Sequence, residues 1–217
     1  MRVLLLGASG TIGLATARAL MHQGHDVVCF LRKPVRTKAN TTQASLSKAL
    51  QGTEIRYGDP CRLESLRQDA FCQQPFDAVV SCLASRTGTP QDAWAVDHQA
   101  HLYALEAAKE VGVHHFVLLS AICVQKPLLA FQKAKLAFEA ALIESGLTYV
   151  IVRPTAFFKS LAGQLERVKK GKPFLIFGNG QLTACKPISD DDLGDFIASC
   201  LTDPSKRNQI LPIGGPG

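Results

Sequence analysis

The sequence predicts an α/β fold in which helices cover both faces of a doubly wound parallel sheet. Two patterns support this prediction. Short runs of β-forming residues alternate with segments of helical periodicity up to residue 152, and a glycine-rich segment directly follows the first run. Strands that are separated by helices are joined by right-handed crossovers and pair in parallel, so the helices lie on both faces.

The individual elements follow from these patterns in chain order. Runs rich in β-branched and apolar residues predict strands at residues 2–6, 26–31, 54–57, 77–82, 115–120 and 148–152. Apolar residues at three- and four-residue spacing predict helices at residues 14–22, 62–68, 93–111 and 128–145. Beyond Pro154 the pattern loosens, and we expect helices at 160–170 and 190–202 with a short β-rich run at 173–177.

The change in pattern near Arg153 divides the chain by role. We expect residues 1–153 to form a cofactor-binding domain and residues 154–217 to form a small substrate-side region over the carboxyl ends of the strands. The last residues, 211–217, read as a strand followed by a glycine-rich turn. This ending leaves open a continuation of the natural chain past Gly217.

Composition narrows the class of protein. The 217 residues, 47% of them hydrophobic, fit one globular domain, and no apolar run is long enough to cross a bilayer. A strand-like run from Arg2 leaves no room for a targeting peptide, so we expect a cytoplasmic location, with peripheral membrane contact left open. Seven scattered cysteines without a C-x-x-C pair argue against a disulfide framework and a metal site.

The net charge of +6 indicates an anionic partner. The basic residues are dispersed apart from two short clusters, and neither cluster lies in a nucleic-acid-binding motif. We therefore expect a small anionic molecule and not a nucleic acid.

The glycine-rich segment has the setting of a dinucleotide-binding loop of the Rossmann type. It spaces three glycines as G-x-x-G-x-x-G between a strand and a helix. Glycines permit a tight turn and close approach of the backbone, and the amides at the helix start then face a pyrophosphate. The cofactor-binding residues predicted here are Gly7, Ser9, Gly10, Thr11, Ile12 and Gly13.

Residues at the following strand ends indicate which dinucleotide binds. Arg32 and Lys33 occupy the end of the second strand, where an NAD site usually carries an acid, and a guanidinium there favours NADP through its 2′-phosphate. A solvated basic turn is the alternative. Asp59 either reaches the adenine or caps the next helix, and Leu83 and Ala84 are expected beneath the cofactor.

The predicted helix after the fifth strand carries Phe131-Gln-Lys-Ala-Lys135. Rossmann dehydrogenases with a Tyr-x-x-x-Lys pair have a tyrosine where this chain has Phe131. We predict that Lys135 is catalytic and contacts the cofactor, with Ser120 and Pro154 nearby at two strand ends. The alternative is that Phe131 packs in the core while Lys135 extends to water, because both follow the helical spacing of the apolar residues.

Several blocks carry a family resemblance. They are residues 118–128 (LLSAICVQKPL), 131–135 (FQKAK), 151–163 (IVRPTAFFKSLAG), 171–173 (GKP), 182–189 (LTACKPIS) and 211–217 (LPIGGPG). Together they are similar to the NADPH-dependent 8-vinyl reductases of chlorophyll biosynthesis, an atypical branch of the short-chain dehydrogenases.

The resemblance implies reduction of the C8 vinyl group of divinyl (proto)chlorophyllide to ethyl by NADPH, in chlorophyll or bacteriochlorophyll biosynthesis. It also implies use of the lysine without the tyrosine, and a magnesium that belongs to the tetrapyrrole substrate. A carbonyl reductase must protonate an alkoxide, whereas hydride addition to a conjugated vinyl group spreads the charge into the macrocycle. Loss of the tyrosine is then tolerable, and the proton comes from water or Lys135.

Residues for the substrate are expected after the sixth strand. Phe157 and Phe158 line a flat apolar face, together with Phe131, or else they belong to the ordinary core. Lys159 and the basic residues at 167–172 attract a carboxylate or form a solvated helix end.

Two other functions remain open at this stage, as does the oligomeric state. A non-catalytic NADP-binding regulator or photosystem-assembly protein would share the glycine loop and lack the tyrosine. A reductase of another conjugated alkene would keep the cofactor residues and differ near Phe157.

Overall fold

The computed structural model describes residues 1–33, 40–175, 179 and 186–215, and in 40–44 and 160–161 only the backbone is considered. Seven strands form its single sheet. They are β1 (Arg2–Leu6), β2 (Asp26–Arg32), β3 (Glu54–Gly58), β4 (Ala78–Ser81), β5 (His115–Leu119), β6 (Thr148–Pro154) and β7 (Gln209–Ile213). All neighbouring strands pair in parallel, in the order β3-β2-β1-β4-β5-β6-β7.

Helices connect these strands. The α-helices are α1 (Thr11–His22), α2 (Asn40–Ala49), α3 (Leu63–Ser65), α4 (Pro90–Ala93), α5 (Ala100–Glu110), α6 (Ala130–Glu144), α7 (Phe158–Lys169) and α8 (Asp190–Thr202). Two π-helical turns, Leu66–Phe71 and Trp94–Gln99, follow α3 and α4, and short 3₁₀ turns lie at Ile122–Gln125 and Pro204–Lys206. Among the described residues, no helix is long and apolar enough to cross a membrane.

Two apolar layers enclose the sheet, one on each face. In β1, Val3 and Leu5 point into one layer and Leu4 into the other, and all three side chains are fully buried. Helices α1 and α8 complete the first layer, and α5 and α6 complete the second. A strand covered on both faces is apolar along its buried part, which explains the unbroken VLLL run that follows Arg2.

The order of the strands determines where a ligand can bind. β1 lies between β2 and β4, and the chain leaves β1 toward β2 but reaches β4 on the other side. Such a reversal opens a crevice at the carboxyl ends of the strands, where α/β proteins bind their ligands. Leu6, the last residue of β1, aligns with Phe30 on one side and with Ser81 on the other. The glycine loop therefore starts inside the crevice.

The predicted fold class is confirmed, and several elements differ from expectation. Of the helix expected at 62–68, only Leu63–Ser65 is α-helical, and a π-helical turn follows it. Helix α2 was not predicted, since its sequence NTTQASLSKA has few apolar residues. The helix expected at 93–111 is interrupted by a π-helical turn. No strand occurs at residues 173–175 of the predicted β-rich run, and residues 176–177 lie outside the described residues.

The region after Pro154 contributes to the sheet and its helical layer. β7 pairs with β6, and α8 packs closely against α1. Gly194 in α8 makes this approach possible, because a Cβ there would lie 2.7 Å from the carbonyl carbon of Ala15. The proposed boundary at residue 153 stays a prediction.

Candidate active site

The glycine loop between β1 and α1 is shaped by close backbone contacts. Gly7 has φ +83°, and a Cβ on it would lie 2.6 Å from the carbonyl carbon of Cys82, just beyond β4. A Cβ on Gly13 would lie 2.2 Å from the carbonyl oxygen of Gly7. Gly10 precedes α1 and has no side chain to bond the first amides of the helix, beginning at Thr11. These amides are therefore available to an anion.

The loop borders a cleft of about 180 Å³ at the carboxyl ends of the strands. Seven predicted cofactor residues line it: Gly7, Ser9, Gly10, Arg32, Asp59, Leu83 and Ala84. Cys82 and Ser85, which flank the predicted pair Leu83 and Ala84, also line it, and residues that were not predicted complete the lining: Phe30, Leu31, Pro60, Cys61, Arg86 and Val96. Thr11, Ile12 and Gly13 begin α1 beside this cleft. The structure thus brings together the predicted residues of the glycine loop and of the ends of β2, β3 and β4.

A wider hollow adjoins the cleft on the outer side of β2. It measures about 580 Å³ and is lined by Arg32, Lys33, Asp59 and Arg62, among others. Arg62 was not singled out from the sequence, because it lies in a loop away from the glycine motif. The hollow carries both signs of charge, because the acids Asp59, Glu64 and Asp69 line it beside the three basic side chains. Within it, the guanidinium of Arg32 is suited to a phosphate.

Asp59 has a local structural role after β3. Its Oδ1 accepts a hydrogen bond of 2.9 Å from the Cys61 amide, and its own amide donates to Ser65 Oγ. The carboxylate therefore stabilises the turn, and α3 has Arg62 at its N-terminal cap position. Contact between Asp59 and an adenine stays a prediction.

Lys135 lies in the first half of α6 and is buried, with 8% of its surface exposed. Its Nζ is 3.0 Å from Oδ1 of Asp97, whose exposure is only 1%. The alternative that Lys135 extends to water is therefore wrong. Gln132 fixes the start of the helix, because its Oε1 accepts hydrogen bonds from the amides of Leu128 and Leu129.

Asp97 is the principal site residue that sequence reasoning missed. It lies in the π-helical turn Trp94–Gln99, a type of distortion that is frequent at functional sites. Its second oxygen accepts a 2.5 Å hydrogen bond from the Ser85 hydroxyl in the cleft wall. A network thus runs from the cleft through Asp97 to Lys135.

A buried histidine lies next to this network. The ring of His101 is 2.8 Å from Ser81 Oγ and 2.9 Å from the carbonyl oxygen of Val96. Burial, assisted by the positive charge of Lys135, lowers the pKa of His101 to about 4. The imidazole is therefore neutral at neutral pH and adds no second positive charge beside Lys135.

A second buried ion pair lies on the same face of α6, one turn further along the helix. Glu139, one turn beyond Lys135, bonds the Arg153 guanidinium through both carboxylate oxygens. The hydroxyl of Ser120 donates to the same carboxylate. This bond engages the Ser120 side chain within the protein, and its contact with the cofactor stays a prediction. Sequence reasoning missed Glu139. The signal that could have indicated it is a single charged residue among apolar ones in LAFEAAL.

The predicted substrate residues occupy different environments. Phe131 is half-buried at the start of α6, one turn before Lys135. Phe157 is half-buried, bridges to Ile188 and packs against the core, whereas Phe158 is 56% exposed. None of the three lines the cleft described above. Pro154 ends β6 opposite Ile213 in β7.

The chain matches a known family over most of its length. A family model described as NAD(P)H-binding matches residues 7–204, which include the glycine loop, the cleft and both buried ion pairs. The chain belongs to this NAD(P)H-binding family. A nicotinamide dinucleotide is therefore its cofactor class, in agreement with the crevice between β1 and β4.

Within the NAD(P)H-binding family, the chain is similar to reductases of a chlorophyll precursor. It is 49% identical over 221 residues to the chloroplastic divinyl chlorophyllide a 8-vinyl-reductase of Cucumis sativus, covering 99% of this chain and 53% of the relative. The reductase of Arabidopsis thaliana is 48% identical over 222 residues, with 99% and 53% covered. The chain therefore spans about half the length of these two relatives.

More distant relatives share the fold. The photosystem II assembly factor Ycf39 of Synechocystis is 26% identical over 220 residues, covering 99% of this chain and 63% of that protein. Among solved structures, a UDP-glucose 4-epimerase of Thermotoga maritima superposes with a TM-score of 0.80 at 19% identity, covering 99% of this chain and 77% of the epimerase. An isoflavone reductase has a TM-score of 0.76 at 21% identity, with 99% and 70% covered.

Proposed function

We propose that this chain reduces the C8 vinyl group of divinyl (proto)chlorophyllide to ethyl, with NADPH as the reductant. The observation that carries the proposal is the identity of 47–49% with four 8-vinyl-reductases along 99% of the chain. The assembly factors match the same stretch at only 25–27%. A tetrapyrrole pigment precursor is accordingly the proposed substrate.

The glycine loop fits a dinucleotide. Gly7 and Gly13 leave room at points where a Cβ would overlap backbone atoms, so the loop can lie close to a pyrophosphate at the start of α1. When bound, the cofactor supplies a hydride. Arg32 and Lys33, exposed at the end of β2, support a preference for the 2′-phosphate of NADPH.

Lys135 is the proposed catalytic residue. Asp97 holds its ammonium in place at 3.0 Å, and Ser85 links Asp97 to the wall of the cofactor cleft. A fixed ammonium can donate hydrogen bonds to ribose hydroxyls or deliver a proton to the reduced substrate. Phe131 offers a ring and no acidic hydroxyl one turn away, so the residues provide no tyrosine acid at this position.

Vinyl reduction is compatible with this set of residues. Adding hydride to a vinyl group in conjugation with a macrocycle places negative charge in the ring system, and one proton then completes the ethyl group. No alkoxide forms, so an acid poised at an oxygen atom is unnecessary. Phe158 is exposed at the start of α7, and basic residues follow along that helix, which supports contact with a flat, acidic pigment.

Anaerobic incubation with NADPH and divinyl chlorophyllide tests the proposal. We expect a blue shift of the Soret band as conjugation with the vinyl group is lost, and no shift with Lys135→Ala. The measurement is made on the 217-residue chain and on a chimera in which it replaces the matching half of the Cucumis sativus relative. NADPH binding without any Soret shift in either protein would contradict the proposal.

A second candidate is a non-catalytic NADPH-binding protein that assists photosystem assembly. Phe131 in place of a tyrosine and the likeness to Ycf39 favour it. A third, reduction of another conjugated alkene, would use the same cofactor residues. Turnover of divinyl chlorophyllide excludes the second candidate, and turnover of a smaller conjugated alkene with no pigment reduction favours the third. Peripheral contact with a membrane remains a separate proposal.

A further inference from the structure

The loop after β4 is held in place without the side chain of Arg86. Oδ2 of Asp92 accepts hydrogen bonds from the amides of Thr87 and Arg86, both 2.8 Å, and from the Thr87 hydroxyl. These hydrogen bonds hold the pKa of Asp92 below its ordinary value, and the bond from the Thr87 amide has the largest effect. On the other side, the Ser85 hydroxyl is bound to Asp97. The Arg86 guanidinium is therefore not needed to stabilise its own loop.

That guanidinium faces the glycine loop. Its Nη2 lies 3.4 Å from the hydroxyl of Ser9, which is two residues before the start of α1. Both side chains line the same cleft of about 180 Å³. Within the described part of the chain, Arg86 forms no ion pair with a carboxylate. An exposed arginine held this way has its positive charge available to a ligand.

Two arginines from different elements line the cleft. Arg32 lies at the end of β2, whereas Arg86 lies beside Ser9 and the N-terminus of α1. A diphosphate at a helix N-terminus is stabilised by the free amides and the helix dipole, and a neighbouring guanidinium adds charge-assisted hydrogen bonds. The position of Arg86 beside the start of α1 thus suits a diphosphate, and that of Arg32 at the end of β2 suits a 2′-phosphate.

We propose that Arg86 closes over the glycine loop and binds the diphosphate of the dinucleotide, while Arg32 reads the 2′-phosphate. The inference rests on the proposed use of NADPH. It assigns a function to a residue of the β4–α4 loop, which lies far from the glycine motif in sequence. Because both NADPH and NADH contain the diphosphate, Arg86 contributes to affinity for either cofactor and not to the choice between them.

Calorimetric titration of Arg86→Ala with NADPH and with NADH tests the inference. We expect both dissociation constants to rise by a similar factor, about tenfold, since one charge-assisted hydrogen-bonding group is lost. Arg86→Lys keeps the charge and should recover part of the affinity. The matched control is Arg207→Ala. This variant removes the same charge from the exposed surface at the amino-terminal ends of the strands, opposite the cleft.

Two results would overturn the assignment. Unchanged affinity for both cofactors would show that Arg86 does not bind the dinucleotide. A loss confined to NADPH would show that it reads the 2′-phosphate. The titration measures binding and not turnover, so failure of the Arg86 inference can be told apart from failure of the proposed function. A chain that binds NADPH with the expected Arg86 dependence but never reduces the pigment contradicts only the proposed function.

Discussion

Lys135 differs from an ordinary surface lysine because it forms a buried ion pair with Asp97. Both side chains are at least nine-tenths buried, and Asp97 is also bonded to Ser85 at the cofactor cleft. Burying two charges is costly unless they are paired, so the pair is better explained by positioning than by stability. The role of Lys135 therefore depends on a residue that lies on a different element.

Asp97→Asn should separate positioning from stability. Removing one partner leaves the Lys135 ammonium buried without its counter-charge, so we expect a loss of about 3 kcal/mol in the free energy of unfolding and a large fall in turnover. Urea denaturation and the Soret assay measure the two effects. The double variant Asp97→Asn, Lys135→Met removes both charges and should regain stability but not turnover. Normal turnover in Asp97→Asn would exclude the positioning role.

Arg32→Ala should change the choice of cofactor. The loss of the guanidinium at the end of β2 removes a partner of the 2′-phosphate, so KM for NADPH should rise about tenfold while KM for NADH changes little. Steady-state kinetics with the two cofactors measure this difference. Equal effects on both constants would mean that the 2′-phosphate is bound elsewhere and that Arg32 is a solvated basic residue.

Sequence reasoning located Lys135 but not its partner. Lys135 follows a predicted strand in a motif of known spacing, whereas Asp97 looks like a polar residue within a helical pattern. Its inward orientation depends on a π-helical turn, whose extra residue per turn changes which side chains face the core. Glu139 was hidden for a related reason, since its partner Arg153 lies on another element, strand β6. Such pairings require the tertiary structure.

At the scale of elements, the β1–α1 unit depends on a glycine that packs against backbone. A Cβ on Gly13 would lie 2.2 Å from the Gly7 carbonyl oxygen, and neither backbone segment can move freely, because Gly7 is itself packed against Cys82. The close contact brings the start of α1 to the end of β1. The N-terminal amides of the helix are thereby placed at the crevice.

Gly13→Ala should therefore weaken both folding and cofactor binding. We expect a loss of about 2 kcal/mol in the free energy of unfolding, as for other overpacked sites, together with weaker NADPH binding. Gly163→Ala is the matched control, because Gly163 lies within α7 with open space around its Cα. That variant should be neutral or up to about 1 kcal/mol more stable, through helix propensity. Similar behaviour of the two variants would contradict the close-packing account.

The elements differed in how well they could be predicted. β1, β2 and β4 are covered on both faces, so their buried residues are almost all apolar and the strands are evident from the sequence. Helix α2 has low apolar content, so its sequence provides a weaker signal. The edge strand β7 was anticipated only in part, at residues 211–213, because its burial is incomplete.

At the scale of the whole molecule, two buried histidines make stability depend on pH. Burial lowers the pKa of His115 to about 4, assisted by Arg207, and burial with Lys135 does the same for His101. In the unfolded chain a histidine titrates near 6.5. Between these values the unfolded state binds more protons than the folded state. The free energy of unfolding should therefore fall as pH drops from about 6.5 to about 4.

Urea denaturation of the wild type and of His115→Gln at pH 7 and pH 5 measures this effect. His115 lies at the amino-terminal end of β5, away from the cofactor cleft, so its replacement isolates one of the two contributions. We expect a smaller difference between the two pH values in the variant than in the wild type. Equal differences would show that His115 does not contribute to the pH dependence.

The central claim, hydride transfer from NADPH to a vinyl group without a tyrosine acid, has a direct test. The protein is given divinyl chlorophyllide and NADPH that is deuterated at both C4 positions of the nicotinamide, and the product is analysed by mass spectrometry. We predict an 8-ethyl product that carries one deuterium from the cofactor and one hydrogen from solvent. An ethyl product without deuterium, or recovery of unchanged divinyl substrate from a protein that binds NADPH, would contradict the account.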